Sequence, residues 1–177
     1  LVKWLYQFKK IMFKIFGKLM LTMFNIGKLG KFPGTIASGV TSLLYIIFFY
    51  LSIDYQILFT FFLLFFFTSI YLIDLLKNEF KEIDSREIVI DEFLGQSIPI
   101  LFFYFILSEA SASLNFFIII VMISFIGFRF FDILKPYPIS YIDNNFKNGF
   151  GVVFDDIIAG FFTTVVLYIF ILIYDKF

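Results

Sequence analysis

The chain has 177 residues, 61% of them hydrophobic, and its 14 basic and 14 acidic residues give a formal charge of zero. Its mean hydropathy is +0.97, and a soluble domain of this length would lack the polar surface to cover so much apolar material. The composition therefore predicts an integral membrane protein, and the zero charge gives no indication of a nucleic-acid partner. Histidine and cysteine are absent, which excludes a histidine base and a thiolate nucleophile. Oxygen-ligand chemistry with a cation such as Mg²⁺ remains.

The first thirty residues form a basic segment that differs from the rest of the chain. Lys10, Lys14 and Lys18 recur every four positions among apolar and aromatic residues. This spacing predicts an amphipathic helix that lies in the membrane interface and is attracted to anionic lipid. The alternative is that these lysines serve only as topology signals. We expect one membrane domain, with residues 1–30 as the interfacial segment and residues 31–177 as a helical bundle.

Five apolar runs approach the length needed to cross a bilayer core about 30 Å thick. They are Ala37–Ile53, Tyr55–Leu76, Phe93–Ser108, Phe116–Leu134 and Ile157–Tyr174. The second and fifth are long and almost free of charge, whereas the first and third are short, so a count of four spans is the alternative. The sequence therefore predicts an all-α integral membrane protein with about five transmembrane helices.

Basic residues alternate between the two sides of these spans. Seven lysines precede the first span, and the loops after the first and third spans contain none. The later basic residues that fall on the same side as the N-terminus are Lys77, Lys81, Arg86, Arg129, Lys135 and Lys147. By the positive-inside rule, the N-terminus is cytoplasmic. The acidic motifs described next then lie on the cytoplasmic side.

The segment FRFFDILKPYP ends the fourth span and combines cations with a carboxylate. Arg129 and Asp132 are three residues apart and therefore share a helix face, and Lys135 follows at the helix end. Pro136 and Pro138 prevent the helix from continuing. The pattern indicates a phosphate-binding pair of cations at the membrane surface. An ion pair that only stabilises the helix end is the alternative.

Two pairs of adjacent carboxylates lie at the starts of predicted spans. Asp91 and Glu92 open the third span, and Asp155 and Asp156 precede the fifth. Together with Asp132 they resemble a cage for a divalent cation, although five carboxylates exceed what one Mg²⁺ requires. Some would then act as outer ligands, as a general base or at a second ion.

Glycines accompany the acidic motifs. Gly149 and Gly151 are expected to let the backbone approach a ligand closely, and Gly160 to allow close helix packing. In PGTIAS, before the first span, Gly34 and Thr35 are candidates for phosphate contacts at a helix N-terminus. Thr35 or Ser38 is expected to cap that helix, and a cap without phosphate binding is the alternative.

Four motifs in order resemble bacterial phosphatidylglycerophosphatase A. They are PGTIAS at 33–38, IVIDEFLG at 88–95, FRFFDILKPYPI at 128–139 and GFGVVFDDIIAG at 149–160. The resemblance covers most of the chain from about residue 25, and its departures leave the acidic set unchanged. It implies a small Mg²⁺-dependent enzyme of the bacterial inner membrane that removes the terminal phosphate of phosphatidylglycerol phosphate. Its partner is a phospholipid substrate in the bilayer; the oligomeric state is not indicated.

The residues and the resemblance lead to one mechanistic hypothesis, metal-assisted hydrolysis of a phosphomonoester. Mg²⁺ would be held by a subset of the acidic residues, and Arg129 and Lys135 would neutralise the phosphate. One carboxylate would position or deprotonate water, and a covalent aspartyl-phosphate is the alternative route. The candidate catalytic and metal-binding residues are Asp91, Glu92, Asp132, Asp155 and Asp156. A divalent-cation transporter and a phosphatidyltransferase-like enzyme are the alternative functions.

Overall fold

The structure, a computed structural model, describes residues 2–174. Leu1 of the predicted interfacial segment and residues 175–177 of the predicted bundle lie outside them. The described range contains seven α-helices and no strand. The helices are α1 (Val2–Leu21), α2 (Pro33–Tyr50), α3 (Tyr55–Leu76), α4 (Ile90–Glu109), α5 (Leu114–Leu134), α6 (Ile139–Asn145) and α7 (Gly149–Tyr174).

Five of the helices in residues 2–174 are long and apolar enough to cross a membrane. They are α2, α3, α4, α5 and α7, so the predicted all-α membrane fold is confirmed and the count of four is wrong. The first and third spans looked short because their helices begin earlier than the apolar runs do. Helix α2 starts at Pro33, whose fixed φ suits a first turn, and α4 includes the two carboxylates of its own first turn.

Helix α4 occupies the centre of the bundle. Two thirds of its membrane-length window is buried, against about a third for the other four spans. It packs against α2, α3, α5 and α7. A Cβ on Gly160 of α7 would overlap the Gly95 carbonyl of α4. Close packing at Gly160, predicted from the sequence, is therefore confirmed, and it brings two helix backbones into direct contact.

The expected caps of α2 are wrong. The N-cap position is Phe32, which makes no side-chain capping hydrogen bond. Thr35 lies within the first turn, and Ser38 is a turn further on, where its hydroxyl donates to the Gly34 carbonyl at 2.9 Å. The helix begins before either hydroxyl because Pro33 is already helical. The PGT sequence is thus part of the span and not a loop before it.

The prediction that Asp155 and Asp156 precede the last helix is wrong. Both carboxylates lie about two turns inside it. Helix α7 starts at Gly149 because other groups satisfy its first amides. The Asn148 side chain accepts from the Gly151 N–H at 2.9 Å. The Asp74 side chain of α3 accepts from the Gly149 N–H at 2.7 Å.

The expected ligand contacts of Gly149 and Gly151 are also wrong, because both glycines face protein backbone. A Cβ on Gly149 would overlap the Ile70 carbonyl of α3, and one on Gly151 would overlap the Phe146 carbonyl. These two glycines therefore allow α7 to begin against its neighbours. They do not form a ligand surface.

Helix α1 packs lightly on the end of α3. Gly17 lies against Leu72 and Leu76, and Glu79 pairs with Lys14 at 2.5 Å and with Lys18 at 3.0 Å. The helix leaves large apolar side chains exposed, among them Trp4, Phe8, Ile11, Phe13 and Phe16. An apolar surface of this kind is compatible with the predicted interfacial location, which stays a prediction.

Candidate active site

Three carboxylates from two helices converge at one end of the bundle. Asp91 and Glu92 in the first turn of α4 and Asp156 of α7 each offer an oxygen within 4.8 Å of the others. Asp91 and Asp156 are only 7% and 4% exposed. At such separations two ionised carboxylates repel by roughly 3 kcal/mol at an effective dielectric constant of about 20. The arrangement therefore requires a cation or bound protons between them.

Close backbone contacts fix this carboxylate trio, meaning Asp91, Glu92 and Asp156. A Cβ on Gly95, one turn after Asp91 in α4, would lie 2.6 Å from the Asp156 carbonyl oxygen. A Cβ on Gly34, in the first turn of α2, would overlap the Glu92 carboxylate. Glycine at position 95 is needed for the approach of α4 to the backbone of α7, and Gly34 leaves room for the Glu92 carboxylate beside α2.

Arg129 and Asp132 of α5 form an ion pair beside the trio. The Arg129 Nη1 lies 2.6 Å from an Asp132 oxygen, and the two side chains are 17% and 12% exposed. Both groups are close enough to act electrostatically on Glu92. The pair is poorly aligned, however, so Nε and Nη1 of Arg129 have no hydrogen-bond partner within residues 2–174. Arg129 thus keeps donors available for an anion.

Lys135 connects the end of α5 to α7 and α6. It closes α5 in the left-handed conformation, at φ 42°, and its ammonium lies 2.7 Å from Asp155 and 3.2 Å from Asp143. Burial alone would lower the pKa of Lys135, but the Asp155 and Asp143 carboxylates outweigh it and hold this pKa above its usual value. Lys135 is therefore charged at physiological pH.

The structure divides the five predicted carboxylates by their partners. Asp91, Glu92 and Asp156 form the trio, whereas Asp132 pairs with Arg129 and Asp155 pairs with Lys135. Both cations predicted to bind phosphate lie beside the acidic set, each in contact with a carboxylate. The alternative predicted for Arg129 and Asp132, an ion pair at the end of the helix, is thus observed. The same two residues also lie beside the other charged side chains of the site. Gly34 lies against the Glu92 carboxylate. The next residue, Thr35, is half-buried.

Two further residues were missed from the sequence. Asp143 of α6 forms an ion pair with Lys135, and one of its carboxylate oxygens lies 3.6 Å from the Lys147 ammonium. The spacing of four residues between Asp143 and Lys147 was the sequence signal for this pairing. Gln96 lies one turn after Glu92 and is fully buried. Neither polar atom of its amide has a hydrogen-bond partner within the described residues. A glutamine inside an apolar run, four residues after an acidic motif, was the signal here.

The residues of the trio fit a hard divalent cation. All three offer carboxylate oxygens, the ligands that Mg²⁺ prefers. One oxygen from each carboxylate lies within 4.8 Å of the other two, so the three side chains are close enough to bind one ion after small side-chain movements. One Glu92 oxygen is also buried without a hydrogen-bond partner within residues 2–174, as a free ligand atom would be.

Fold and site together define a multispan helical membrane protein with an acidic, cation-lined site suited to phosphate. A sequence model of the family phosphatidylglycerophosphatase A matches residues 19–171. The chain is 34% identical over 150 residues to phosphatidylglycerophosphatase A of Haemophilus influenzae, and the match covers 85% of both chains. The chain therefore belongs to the phosphatidylglycerophosphatase A family, as its motifs predicted.

Other relatives support the same class. The chain is 31% identical over 138 residues to a Bacteroides thetaiotaomicron protein named "Putative phosphatidylinositol-3-phosphatase", covering 76% of this chain and 80% of that one. A 48-residue stretch is 42% identical to phosphatidylglycerophosphatase A of Escherichia coli, over 27% and 28% of the two chains. No solved structure matches the chain. The predicted enzyme class, a membrane phosphatase, is confirmed, and neither alternative function gains support.

Proposed function

We propose that this phosphatase is Mg²⁺-dependent and hydrolyses the terminal phosphomonoester of phosphatidylglycerol phosphate to phosphatidylglycerol and inorganic phosphate. The observation that carries the proposal is the carboxylate trio with Arg129 and Lys135 beside it, at one end of the spanning helices. A phosphate of a lipid headgroup reaches this level of a membrane protein without leaving the bilayer. The names of the Haemophilus and Escherichia relatives support the choice of substrate.

Asp91, Glu92 and Asp156 hold the Mg²⁺ in this proposal. When bound, the ion polarises a phosphoryl oxygen and neutralises charge that develops during transfer. Arg129 donates to a second phosphate oxygen through its unpartnered N–H groups, and Asp132 keeps the guanidinium in place. Phosphoryl transfer depends mainly on this kind of positioning and charge stabilisation.

Lys135 supplies the second cation for the phosphate. Asp155 and Asp143 orient its ammonium. Gly34 lies against the Glu92 carboxylate, so the first turn of α2, which includes Thr35, borders the site and its free amides would bind a further phosphate oxygen. A water oxygen forms the new bond to phosphorus while the bond to the glycerol oxygen breaks, and that oxygen leaves with a proton. A carboxylate of the site takes the proton lost by the attacking water and returns it to the leaving glycerol oxygen.

The proposed location is the cytoplasmic side of the bacterial inner membrane. The trio lies at the same end of the bundle as the lysine-rich segments before α2 and between α3 and α4. Positive charges of this kind mark cytoplasmic loops. Protease accessibility of the loop between α3 and α4 in inverted and right-side-out vesicles tests the orientation.

Phosphate release by purified protein in neutral detergent micelles tests the activity. We expect release from phosphatidylglycerol phosphate with Mg²⁺ and none with EDTA. Phosphatidylinositol 3-phosphate is the informative competitor because of the Bacteroides relative's name. Faster hydrolysis of that lipid would contradict the proposed substrate, and full activity in EDTA would contradict the metal requirement.

A further inference from the structure

A basic cleft lies beside the first turn of α2, outside the residues assigned above. It has a volume of about 680 Å³ and is lined by two segments of chain, one before α2 and one before α4. The lining residues are Gly27, Lys28, Gly30, Lys31, Phe32, Pro33, Arg86 and Glu87. Three cations and one carboxylate give the cleft an excess of positive charge.

The two walls of this cleft are held together by backbone contacts. A Cβ on Gly27 would overlap the Glu87 carbonyl, so the two segments touch there. The Val89 N–H donates to the Leu21 carbonyl at 3.0 Å, just behind the contact. Val89 and Leu21 are fully buried. The cleft is therefore built on an anchored junction and not on two independent loops.

The cations of the cleft are not used for internal ion pairs. Within residues 2–174, no carboxylate oxygen lies within 4.0 Å of a nitrogen of Lys28, Lys31 or Arg86 side chains. By contrast, Arg129 and Lys135 in the active site each have a carboxylate partner. Unpaired cations that surround a cleft favour an anionic ligand.

The cleft adjoins the active site through the chain itself. Phe32 and Pro33 line the cleft, and the next residue, Gly34, lies against the Glu92 carboxylate. This adjacency favours a ligand with two anionic groups joined by a short linker, one group for the cleft and one for the active site. Phosphatidylglycerol phosphate has this form, since a single glycerol separates its phosphodiester from its terminal phosphate.

We propose that Lys28, Lys31 and Arg86 bind the phosphodiester of the substrate headgroup while the carboxylate trio and Arg129 receive the terminal phosphate. This proposal rests on the proposed function and adds a specificity determinant to it. The cleft selects lipids with two phosphates over lipids with a phosphomonoester alone, such as phosphatidic acid. It also retains affinity for phosphatidylglycerol, which carries the diester only.

Steady-state kinetics of Lys28→Gln, Lys31→Gln and Arg86→Gln test this assignment in neutral detergent micelles without other anionic lipid. We expect each change to raise KM for phosphatidylglycerol phosphate about fivefold, with a smaller change in kcat. Inhibition by added phosphatidylglycerol should weaken in the same variants. Lys81→Gln is the matched control, because Lys81 is exposed in the same α3–α4 segment but does not line the cleft.

The outcomes separate the cleft from the proposed function. If the wild type does not hydrolyse phosphatidylglycerol phosphate, the proposed function fails before any variant is compared. If it does, and the cleft variants match Lys81→Gln in KM and in inhibition by phosphatidylglycerol, the cleft assignment is wrong. A KM difference that appears only after another anionic lipid is added would also overturn it, since a neighbouring lipid would then be the ligand.

Discussion

Substitution of Gly95 by alanine should separate the carboxylate trio without touching any carboxylate. The added Cβ would lie 2.6 Å from the Asp156 carbonyl oxygen and from Cε2 of Phe128, whereas ordinary contact begins at 3.4 Å. The phenyl ring can shift, but the carbonyl belongs to the backbone of α7. Helices α4 and α7 must therefore move apart by up to about 0.8 Å at the level of Asp156.

The expected cost follows from this displacement. A misplacement near 1 Å in a catalytic site can lower the rate about a hundredfold, so we expect kcat/KM for phosphatidylglycerol phosphate to fall by roughly that factor. Overpacking destabilises by about 1–3 kcal/mol, and the better helix propensity of alanine returns up to about 1 kcal/mol. The net loss of stability should be small enough for the protein to remain folded.

The assay is phosphate release combined with thermal unfolding in detergent. Gly39→Ala is the matched control, because the same change in α2 meets no atom within 4 Å. That variant should keep its activity and unfold at the same or a higher temperature. If Gly95→Ala keeps kcat/KM within twofold of the wild type, the spacing of α4 and α7 does not control the site.

Three other changes have expected outcomes. Lys135→Gln removes the cation from buried Asp155 and from the phosphate, so phosphate release should fall about a hundredfold; activity within threefold of wild type would refute that role. Gln96→Leu removes a buried amide that has no hydrogen-bond partner within residues 2–174. The change should stabilise the protein by about 1–3 kcal/mol, measured by unfolding in detergent. A lower melting temperature than that of the wild type would mean that the amide is satisfied. Glu79→Gln breaks surface ion pairs with Lys14 and Lys18 and should cost less than about 1 kcal/mol in the same unfolding measurement; a larger loss would show that these pairs anchor α1.

Local composition predicted the helices and the charged residues that gather at the site, but not the pairing of those residues. Apolar runs identified five spans because a helix that crosses a bilayer must be apolar over about twenty residues, whether it faces lipid or other helices. The starts of α2 and α7 were placed too late, since polar residues such as Asp155 are helical when neighbouring groups satisfy the first amides. Hydropathy carries no information about such contacts.

Which carboxylates meet depends on distances between helices that are far apart in sequence. Asp91 and Asp156 are brought together by the contact of Gly95 with α7, and Asp155 is directed to Lys135 by the left-handed end of α5. The spacing of acidic residues along the chain could not separate these roles. The motif resemblance supplied the enzyme family, while the division of the five carboxylates needed the packed bundle.

The Mg²⁺ dependence of phosphate release by Asp156→Asn is the most direct test of the carboxylate trio as the metal centre. Asp54→Asn is the control, because Asp54 caps α3 away from the trio and asparagine caps equally well. We expect the wild type and the control to be inactive in EDTA and restored by the same Mg²⁺ concentration. Asp156→Asn should need a much higher concentration or stay inactive. If folded Asp156→Asn is restored by the same Mg²⁺ concentration as the wild type, the carboxylate trio is not the metal centre.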